Sequence, residues 1–324
     1  MANKEKEFEI LNPFYSVDSG IGDWANGIKA WAVENRESMQ PLREVVNDLI
    51  VGIESAFHST PQLIMLLIMT LIAWQSAGRK VAVVVLGCMT ALGLLDPRAW
   101  DLAMTTMAVV LASVIICVII GLPLGVLAGK NDRFNALIRP VLDLMQTIPA
   151  FVYLVPVVML IGIGNVAGVI VTVVFALPPL VRLTSLGIRQ VNKSVVEASN
   201  AFGSSAMQTL IKVELPLSLP SIMTGVNQTI MMALSVVVIA SLISVKGLGN
   251  EVLRAMGRLD AGKAIVGGMG IVILAIVLDR ISQGFGRSGR DIGHRHWWER
   301  GPVGACYKLY KILVNKNDKK ITLT

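Results

Sequence analysis

The residues of this chain whose types and spacing suggest a chemical role lie in a polar stretch between two apolar runs. The stretch reads EASNAFG over residues 197–203 and, nine residues later, VELP over residues 213–216. Ala198, Ala201 and Phe202 are three and four residues apart, so on a helix they share one face. Small side chains around one aromatic ring make apolar contact with another protein and supply no catalytic group. The stretch therefore predicts a short exposed helix that docks on a partner.

The ends of this predicted helix have signals of their own. Glu197 lies near the predicted start, where a carboxylate interacts favourably with the positive end of the helix dipole. Gly203 follows the last turn, where the left-handed conformation that ends many helices suits glycine. Pro216 has no backbone N–H to donate, and it predicts that the next helix begins no earlier than this point.

Two other groups of residues are weaker candidates for chemistry. Residues 125–130 nearly spell a phosphate-binding loop, but the two glycines are one residue too close, and Asn131 stands where Ser or Thr would bind magnesium. His294 and His296 are two residues apart without a third ligand beside them, which is weak evidence for a metal site. The sequence therefore predicts no catalytic residue, no metal ion and no cofactor on this chain.

The polar stretch resembles the EAA signature of permease subunits of bacterial ATP-binding-cassette (ABC) importers. That signature runs Glu-Ala-Ala, three residues, Gly, nine residues and Ile-x-Leu-Pro; here Ser199 replaces the second alanine and Val213 replaces the isoleucine. The runs MQTIPAFVYLVP at residues 145–156, LPP at 177–179 and LDR at 278–280 resemble more narrowly the ProW-type permeases of glycine betaine/proline betaine uptake systems.

Composition indicates a membrane protein. Of the 324 residues, 54% are hydrophobic and 16% are charged, and the mean hydropathy is +0.65. A soluble domain has about 25% charged residues. The net charge of +7 comes from basic residues in short loops and in the C-terminal tail, a distribution typical of the cytoplasmic segments of membrane proteins. The charge therefore gives no reason to expect nucleic acid as a partner.

Apolar runs predict an all-α membrane protein with about seven transmembrane helices. A span needs about 20 apolar residues. The second, fifth and seventh runs are shorter than this, so their spans must also include neighbouring residues. The alternative of six spans, with the first pair miscounted, stays open. The runs lie near residues 61–78, 81–95, 102–128, 140–164, 166–181, 221–245 and 264–278.

These runs divide the chain into a polar and amphipathic N-terminal tail (1–60), a transmembrane permease domain (61–280) with the loop 182–220, and a basic C-terminal tail (281–324). After Pro41 the tail contains one helical stripe of apolar residues. The stripe fits a helix on the membrane surface or against the body of the protein, and it fits packing within a small extramembrane cap equally well. Its members are Leu42, Val45, Val46, Leu49, Ile50 and Ile53.

The distribution of Lys and Arg gives a predicted orientation. If the loop that contains Glu197 is cytoplasmic, alternation of seven spans places 19 of the 29 basic residues inside, as the positive-inside rule requires. Four basic residues in the outer loop 246–263 argue against it. The prediction is a chain of seven spans with the N-terminus outside and the C-terminus in the cytoplasm, and the resemblance implies the bacterial inner membrane as its location.

Small and polar residues within the runs suggest packing and transport roles. Gly121, Gly125 and Gly129 repeat every four residues, a spacing that lets two helices approach closely in lipid. Polar side chains within spans are costly and either face an aqueous path or form hydrogen bonds between helices. Asp143 follows Arg139 by four residues, which favours a weak ion pair within one helix. The candidate path residues are Gln146, Tyr153, Asn227 and Gln228.

The resemblance implies a mechanism and a set of partners. It implies a type I importer-like permease in which ATP is bound by a cytoplasmic ATP-binding subunit, cargo arrives from an extracytoplasmic substrate-binding protein, and a second copy of the chain completes the path within membrane lipids. In that scheme Phe202 and Ala198 supply contacts to the ATPase, while Glu197 and Gly203 fix the ends of the helix. The full coupling set is Glu197, Ala198, Ser199, Ala201, Phe202, Gly203, Leu215 and Pro216.

A different class of transporter is the alternative. A secondary transporter or an osmotically gated channel would need an ionisable relay within the membrane or an inverted repeat, and the sequence shows neither convincingly.

Overall fold

The computed structural model describes residues 21–286, 301, 302 and 304. Within these residues every regular element is helical, which confirms the predicted all-α class. The pair His294 and His296 lies outside the described residues.

Thirteen α-helices, three short 3-10 segments and one π turn make up residues 21–286. The α-helices are α1 (Ile21–Glu34), α2 (Gln40–Ser59), α3 (Gln62–Ala77), α4 (Arg79–Leu95), α5 (Ala99–Lys130), α6 (Asp132–Thr147), α7 (Leu154–Ile161), α8 (Asn165–Arg189), α9 (Lys193–Ala201), α10 (Ala206–Thr209), α11 (Leu215–Ala240), α12 (Leu248–Gly257) and α13 (Ala261–Phe285). The 3-10 segments are Glu37–Met39, Ala150–Tyr153 and Ser241–Ile243, and the π turn is Leu210–Glu214.

Each predicted apolar run is largely helical, but fewer than seven helices are long enough to cross a membrane. Four helical segments of the described residues have the length and apolar composition of a span: α5, α8, the continuous segment Ala206–Ile243, and α13. Two bent pairs, α2 with α3 and α6 with α7, raise the number to at most six if each pair is one span. Helix α4 has 17 residues and is about 26 Å long, short of a hydrocarbon core of about 30 Å. The structure thus supports four to six spans in place of seven, and the six-span alternative falls within that range.

Helix α8 is the centre of the molecule, and α5 and α11 pack on it. Glycines allow the close contact between α8 and α11, where a larger residue would clash. A Cβ atom at Gly187 would lie 2.8 Å from Ser221 Cβ, and one at Gly225 would lie 3.1 Å from Leu180 Cα. The Thr229 hydroxyl donates to the Ala176 carbonyl at 3.0 Å and joins α11 to α8 where lipid offers no other partner.

The glycine stripe of α5 lies against α8. A Cβ atom at Gly121 would lie 3.0 Å from the Leu180 side chain, and one at Gly129 would lie 3.0 Å from Ile188. The closest approach is at Gly125, where the added atom would lie 2.5 Å from Thr184 Cβ. Over about two turns of α5, from Gly121 to Gly129, side chains of α8 therefore pack directly on the α5 backbone, which is the geometry that small residues permit in membranes.

The fourth apolar run, expected as one span, is two helices. Helices α6 and α7 are inclined by 99°. The break begins at Ile148, whose ψ of 127° is extended, because the residue before a proline is disfavoured in the helical region and Pro149 follows it. Side chains around the 3-10 segment face away from the rest of the chain: Phe151 and Val152 are 58% and 45% exposed.

Helix α2 packs against the body of the protein. Val46 and Ile50 are buried in the main core, and Leu49 and Ile53 pack against it. Leu42 and Val45, expected on the same stripe, remain exposed. The Thr105 hydroxyl on α5 donates to Glu54 Oε1 at 3.0 Å, so the contact between α2 and α5 also has a polar component.

Replacing Gly125 by alanine tests the contact between α5 and α8. The new Cβ atom would lie 2.5 Å from Thr184 Cβ and 3.0 Å from the Val181 carbonyl oxygen, so the helices must move apart. We expect a loss of about 1–3 kcal/mol in the free energy of unfolding, the usual cost of overpacking, seen as a lower melting temperature of the purified protein in detergent. Gly87→Ala is the matched control, because no heavy atom lies within 4 Å of its added Cβ. Equal melting temperatures in the two variants would contradict the assigned contact.

Candidate functional site

The predicted docking helix exists as α9, but it begins earlier than expected. Asn192 caps it, with Oδ1 accepting from the Ser194 N–H at 3.0 Å. Asparagine is among the preferred N-cap residues because its side chain satisfies a free N–H of the first turn. The helix therefore starts at Lys193, and Glu197 lies in its second turn instead of near its start, where its carboxylate is exposed. The expectation that Glu197 fixes the N-terminus of this helix is wrong.

The other end of α9 has the predicted geometry. The Phe202 N–H donates to the Ala198 carbonyl at 3.1 Å, and the Gly203 N–H donates to Asn200 O at 2.9 Å. Gly203 has φ +79°, in the left-handed region. The chain turns sharply here, and the Phe202 side chain projects from the turn with 92% of its surface exposed.

One side of α9 is free and the other is attached to α10. Ala198, Ala201 and Phe202 are exposed, whereas Ser199 is half-buried. Ser199 Oγ lies 3.2 Å from Thr209 Oγ1, and the Thr209 hydroxyl can also donate to Asn200 Oδ1 at 3.3 Å. Thr209 is buried, so these bonds join α9 to the start of the following spanning helix away from competing water.

Pro216 does not mark the start of that spanning helix. The helical segment begins at Ala206 with a capping box, in which Ser205 accepts from the Gln208 N–H and the Gln208 side chain accepts from the Ser205 N–H. The spacing Ser-x-x-Gln is a known start signal and would have located this end from the sequence. The expectation drawn from Pro216 is wrong because the intervening π turn continues the helix.

The π turn Leu210–Glu214 explains how the helix tolerates the proline. The Leu215 N–H donates to Leu210 O, five residues back, so the turn is wider than an α-helical turn. Pro216 lacks an N–H, and its ring would crowd the carbonyl of an ordinary preceding turn. Here Pro216 is exposed and Leu215 is half-buried.

Charged side chains meet at the C-terminal end of α5. Lys130 Nζ lies 2.6 Å from Glu214 Oε1. The Arg189 guanidinium, at the end of α8, donates to the Ala128 carbonyl and to Asp132 Oδ1, each at 2.6 Å. Both ends of the segment between α8 and α11 thus contact the C-terminal end of α5, Arg189 at the start of the segment and Glu214 at its end. The sequence did not indicate Glu214 and Arg189 as anchors, because their partners are 84 and 61 residues away in the chain. Thr209 was not indicated either, because its partners lie nine and ten residues back across a turn.

The partner of Asp143 differs from the sequence expectation. Its carboxylate pairs with Arg182 on α8, and no pair with Arg139 forms. An Arg that precedes an Asp by four residues is the weaker order within a helix, and the packing of α6 on α8 offers Arg182 instead.

Two of the expected path residues lie beside the break between α6 and α7. The Tyr153 hydroxyl donates to the Leu144 carbonyl at 3.2 Å and satisfies an acceptor near the end of α6. Gln146 Nε2 lies 3.9 Å from Met232 Sδ on α11. Both residues therefore lie where the backbone is irregular.

The other two expected path residues point in different directions. Asn227 donates to Asp279 Oδ1 at 3.0 Å and accepts from the Ser282 hydroxyl at 2.5 Å, so it belongs to the contact between α11 and α13. Gln228, the next residue, is exposed.

No group of three or more His, Cys, Asp or Glu residues that could hold a metal ion occurs among the described residues. The anchored helix α9 offers apolar contact and mechanical attachment.

Comparisons with known proteins agree on one family. Residues 121–289 match the family described as binding-protein-dependent transport system inner membrane component. Over 306 residues the chain is 50% identical to the glycine betaine/proline betaine transport system permease protein ProW of Escherichia coli strain K12, with 94% of this chain and 86% of the relative covered. Over 265 residues it is 43% identical to the glycine betaine/carnitine transport permease protein GbuB of Listeria monocytogenes, with 80% and 94% covered.

The fold is similar to that of a chain in a solved structure described as inward-facing conformations of the MetNI methionine ABC transporter. The TM-score is 0.52 at 23% sequence identity, and the match covers 61% of this chain and 99% of that chain. This likeness concerns the fold alone.

Thr209→Val tests the attachment of α9. The variant keeps the shape of the side chain and removes the hydroxyl that meets Ser199 and Asn200. We expect α9 to open about fivefold more often, for a hydrogen-bond contribution of about 1 kcal/mol. Hydrogen–deuterium exchange of peptides spanning 193–203 would measure it. Thr224→Val is the control, since its exposed hydroxyl donates only to Pro220 O within the same helix; equal exchange in the two variants would contradict the attachment.

Proposed function

The chain belongs to the inner membrane components of binding-protein-dependent transport systems, and on that premise we propose that it imports glycine betaine or proline betaine with energy from ATP. The 50% identity to a permease of that named function over 94% of the chain supports the substrate class. The chain is the non-catalytic permease subunit of an ABC transporter in the inner membrane. Hydrolysis of ATP belongs to a partner, and this chain binds neither ATP nor another cofactor in our proposal.

Helix α9 is the proposed docking element for the ATP-binding subunit. Ala198, Ala201 and Phe202 present an exposed apolar surface outside the spanning helices, and Gly203 sets the turn that directs the aromatic ring outward. An exposed aromatic side chain costs free energy in water and gains contact area in a pocket of a partner, so it is a typical anchor of an interface. Ser199 attaches this surface to Thr209 from behind, and the exposed Glu197 offers a polar contact at its edge. Leu215 and Pro216 follow at the start of α11.

Motion of α9 would reach the membrane through its attachments. ATP binding closes the ATPase dimer and displaces the two docked helices, one on each copy of this chain. Thr209 passes the displacement to the segment Ala206–Ile243, and Arg189 passes it to α5 and α8. Rigid spans then shift between inward- and outward-open states, with ATP favouring one of them.

The translocation path is proposed to run beside the break between α6 and α7. Irregular backbone at membrane depth is tolerated where it faces protein or a water-filled cavity, and not where it faces lipid. The exposed side of this break therefore faces a second copy of the chain or the path between the copies. We place Gln146, Tyr153 and Gln228 on the path, and Tyr153 brings an aromatic ring of the kind that attracts a quaternary ammonium. Asn227 is occupied by its contacts to α13.

The remaining partners and the orientation follow from the same scheme. An extracytoplasmic substrate-binding protein would deliver cargo to the outer face, and membrane lipids would surround the apolar spans. If α9 is cytoplasmic, α11 runs outward and α13 returns, so the C-terminus lies inside. The N-terminus lies outside if α3 and α4 each cross the membrane, and inside if they contribute one crossing.

Phe202→Asp in the reconstituted transporter tests the docking assignment. A carboxylate in place of the anchoring ring should cost about 2 kcal/mol or more in binding of the ATPase, so the ATP-binding subunit should no longer co-purify and glycine betaine uptake should stop while membrane insertion is retained. Leu259→Asp is the control, because Leu259 is also 92% exposed but belongs to the loop between α12 and α13. It should retain the ATPase.

The same preparation tests the transporter class. Wild-type proteoliposomes supplied with binding protein and ATP should accumulate glycine betaine and should not respond to an uncoupler. Uptake that collapses with the uncoupler at constant ATP would contradict an ATP-driven importer and favour a secondary transporter. Normal uptake by Phe202→Asp would contradict docking through this residue.

Single cysteines test the proposed path. In a chain whose native cysteines have been replaced, Gln146→Cys and Gln228→Cys should react with a water-soluble maleimide, and glycine betaine should slow the reaction. Asn227→Cys is the neighbour control and should react much more slowly, because its position faces α13. Equal labelling at positions 227 and 228 would contradict the proposed path.

A further inference from the structure

Glu214 is a buried carboxylate with an incomplete set of partners. Its side chain is 5% exposed, and Oε1 accepts from Lys130 Nζ at 2.6 Å. Its second oxygen, Oε2, is buried and has no hydrogen-bond partner among the described residues. Burying a carboxylate is costly unless it is paired and hydrogen-bonded. A side chain retained at such a cost, in a segment where leucine or alanine would pack, calls for a role beyond stability.

The position of Glu214 within the π turn explains why it meets Lys130. The turn adds one residue between α10 and α11 relative to a regular α-helix. One residue corresponds to about 100° around the helix axis. Without the π turn, α10 would therefore be rotated by about 100° about the helix axis relative to Glu214. The wide turn thus sets how the attached α9 is oriented when Glu214 contacts α5.

Lys130 is the last residue of α5, where the negative end of the helix dipole favours a cation. Arg189 binds the same end from α8 through the Ala128 carbonyl. The segment that contains α9 is therefore fixed to α5 on both sides, by Arg189 before it and by Glu214 after it. Of these two attachments, only the Lys130–Glu214 pair includes a residue of the π turn.

We propose that Glu214 is a positioning residue for the coupling of ATP hydrolysis to transport. The Lys130–Glu214 pair holds the π turn in register, so that a displacement of α9 moves α5 instead of being absorbed by a change in the turn. This role rests on the proposed function, because it needs α9 to be displaced by a partner. An ion pair with a buried carboxylate suits the task, since its geometry is specific even where its net contribution to stability is small.

The test compares transport with hydrolysis in the complete transporter. Glu214→Gln and Lys130→Met each remove one charge, and the reversed pair Lys130→Glu with Glu214→Lys restores the attraction. The transporter is reconstituted in proteoliposomes with its ATPase and binding protein, and glycine betaine uptake and ATP hydrolysis are measured together. A merely structural role lowers both rates in proportion to the folded protein, so the informative quantity is uptake per ATP hydrolysed.

We expect uptake per ATP to fall about tenfold in each single variant, within the range usual for coupling between sites, while hydrolysis continues. The reversed pair should recover most of the loss. Glu251→Gln is the matched control: Glu251 is a half-buried glutamate of α12 for which no ion pair occurs in the described structure, and the ratio should not change.

Unchanged uptake per ATP in Glu214→Gln would overturn the role of Glu214. If the single variants do not fold, the reversed pair decides: a ratio near that of the wild type supports the role, and a folded but uncoupled reversed pair overturns it. A wild-type transporter that moves no solute with ATP would overturn the proposed function itself, so the two failures are distinguishable.

Discussion

The close approach of α5 to α8 is the contact on which the rest of the structure depends. In lipid the hydrophobic effect does not press spanning helices together, so close packing must hold them. The three glycines of α5 let its backbone follow α8 over about two turns. Because this contact continues to the last turn of α5, it also brings Lys130 and the Ala128 carbonyl to the place where α8 ends and α11 begins.

The segment between α8 and α11 combines a free surface with firm attachments. Phe202 is exposed on one side of α9, while Ser199 and Asn200 meet the buried Thr209 on the other. The docking role proposed for α9 needs both properties: an exposed face that a partner can contact and attachments that pass a displacement on. The break between α6 and α7 has a local cause, because Pro149 disfavours the helical conformation at Ile148. Backbone that cannot face lipid then has to line protein or water.

Local signals predicted most of the elements. The apolar runs located the long helices but overcounted the spans, and Gly203 and Phe202 have the conformation and exposure that the sequence indicated. The two errors about where helices begin, at Glu197 and at Pro216, came from giving too much weight to one local signal and too little to another. The side chains of Asn192 and Ser205 cap the starts of α9 and of the next helix, because each accepts a hydrogen bond from a free N–H of the first turn. These caps decide the two helix starts more strongly than the dipole interaction of Glu197 or the missing N–H of Pro216.

The sequence by itself determined the helical class, the membrane location, the exposed apolar face of α9 and, by resemblance, the family. These depend on composition and on residues three and four apart, whose geometry is the same in any α-helix. Tertiary structure decided which charges meet: Asp143 with Arg182 and Lys130 with Glu214, pairs that are 39 and 84 residues apart. It also decided the 99° break and the register set by the π turn. Those features depend on the rotation and crossing of whole helices, which packing fixes and which no short stretch of sequence encodes.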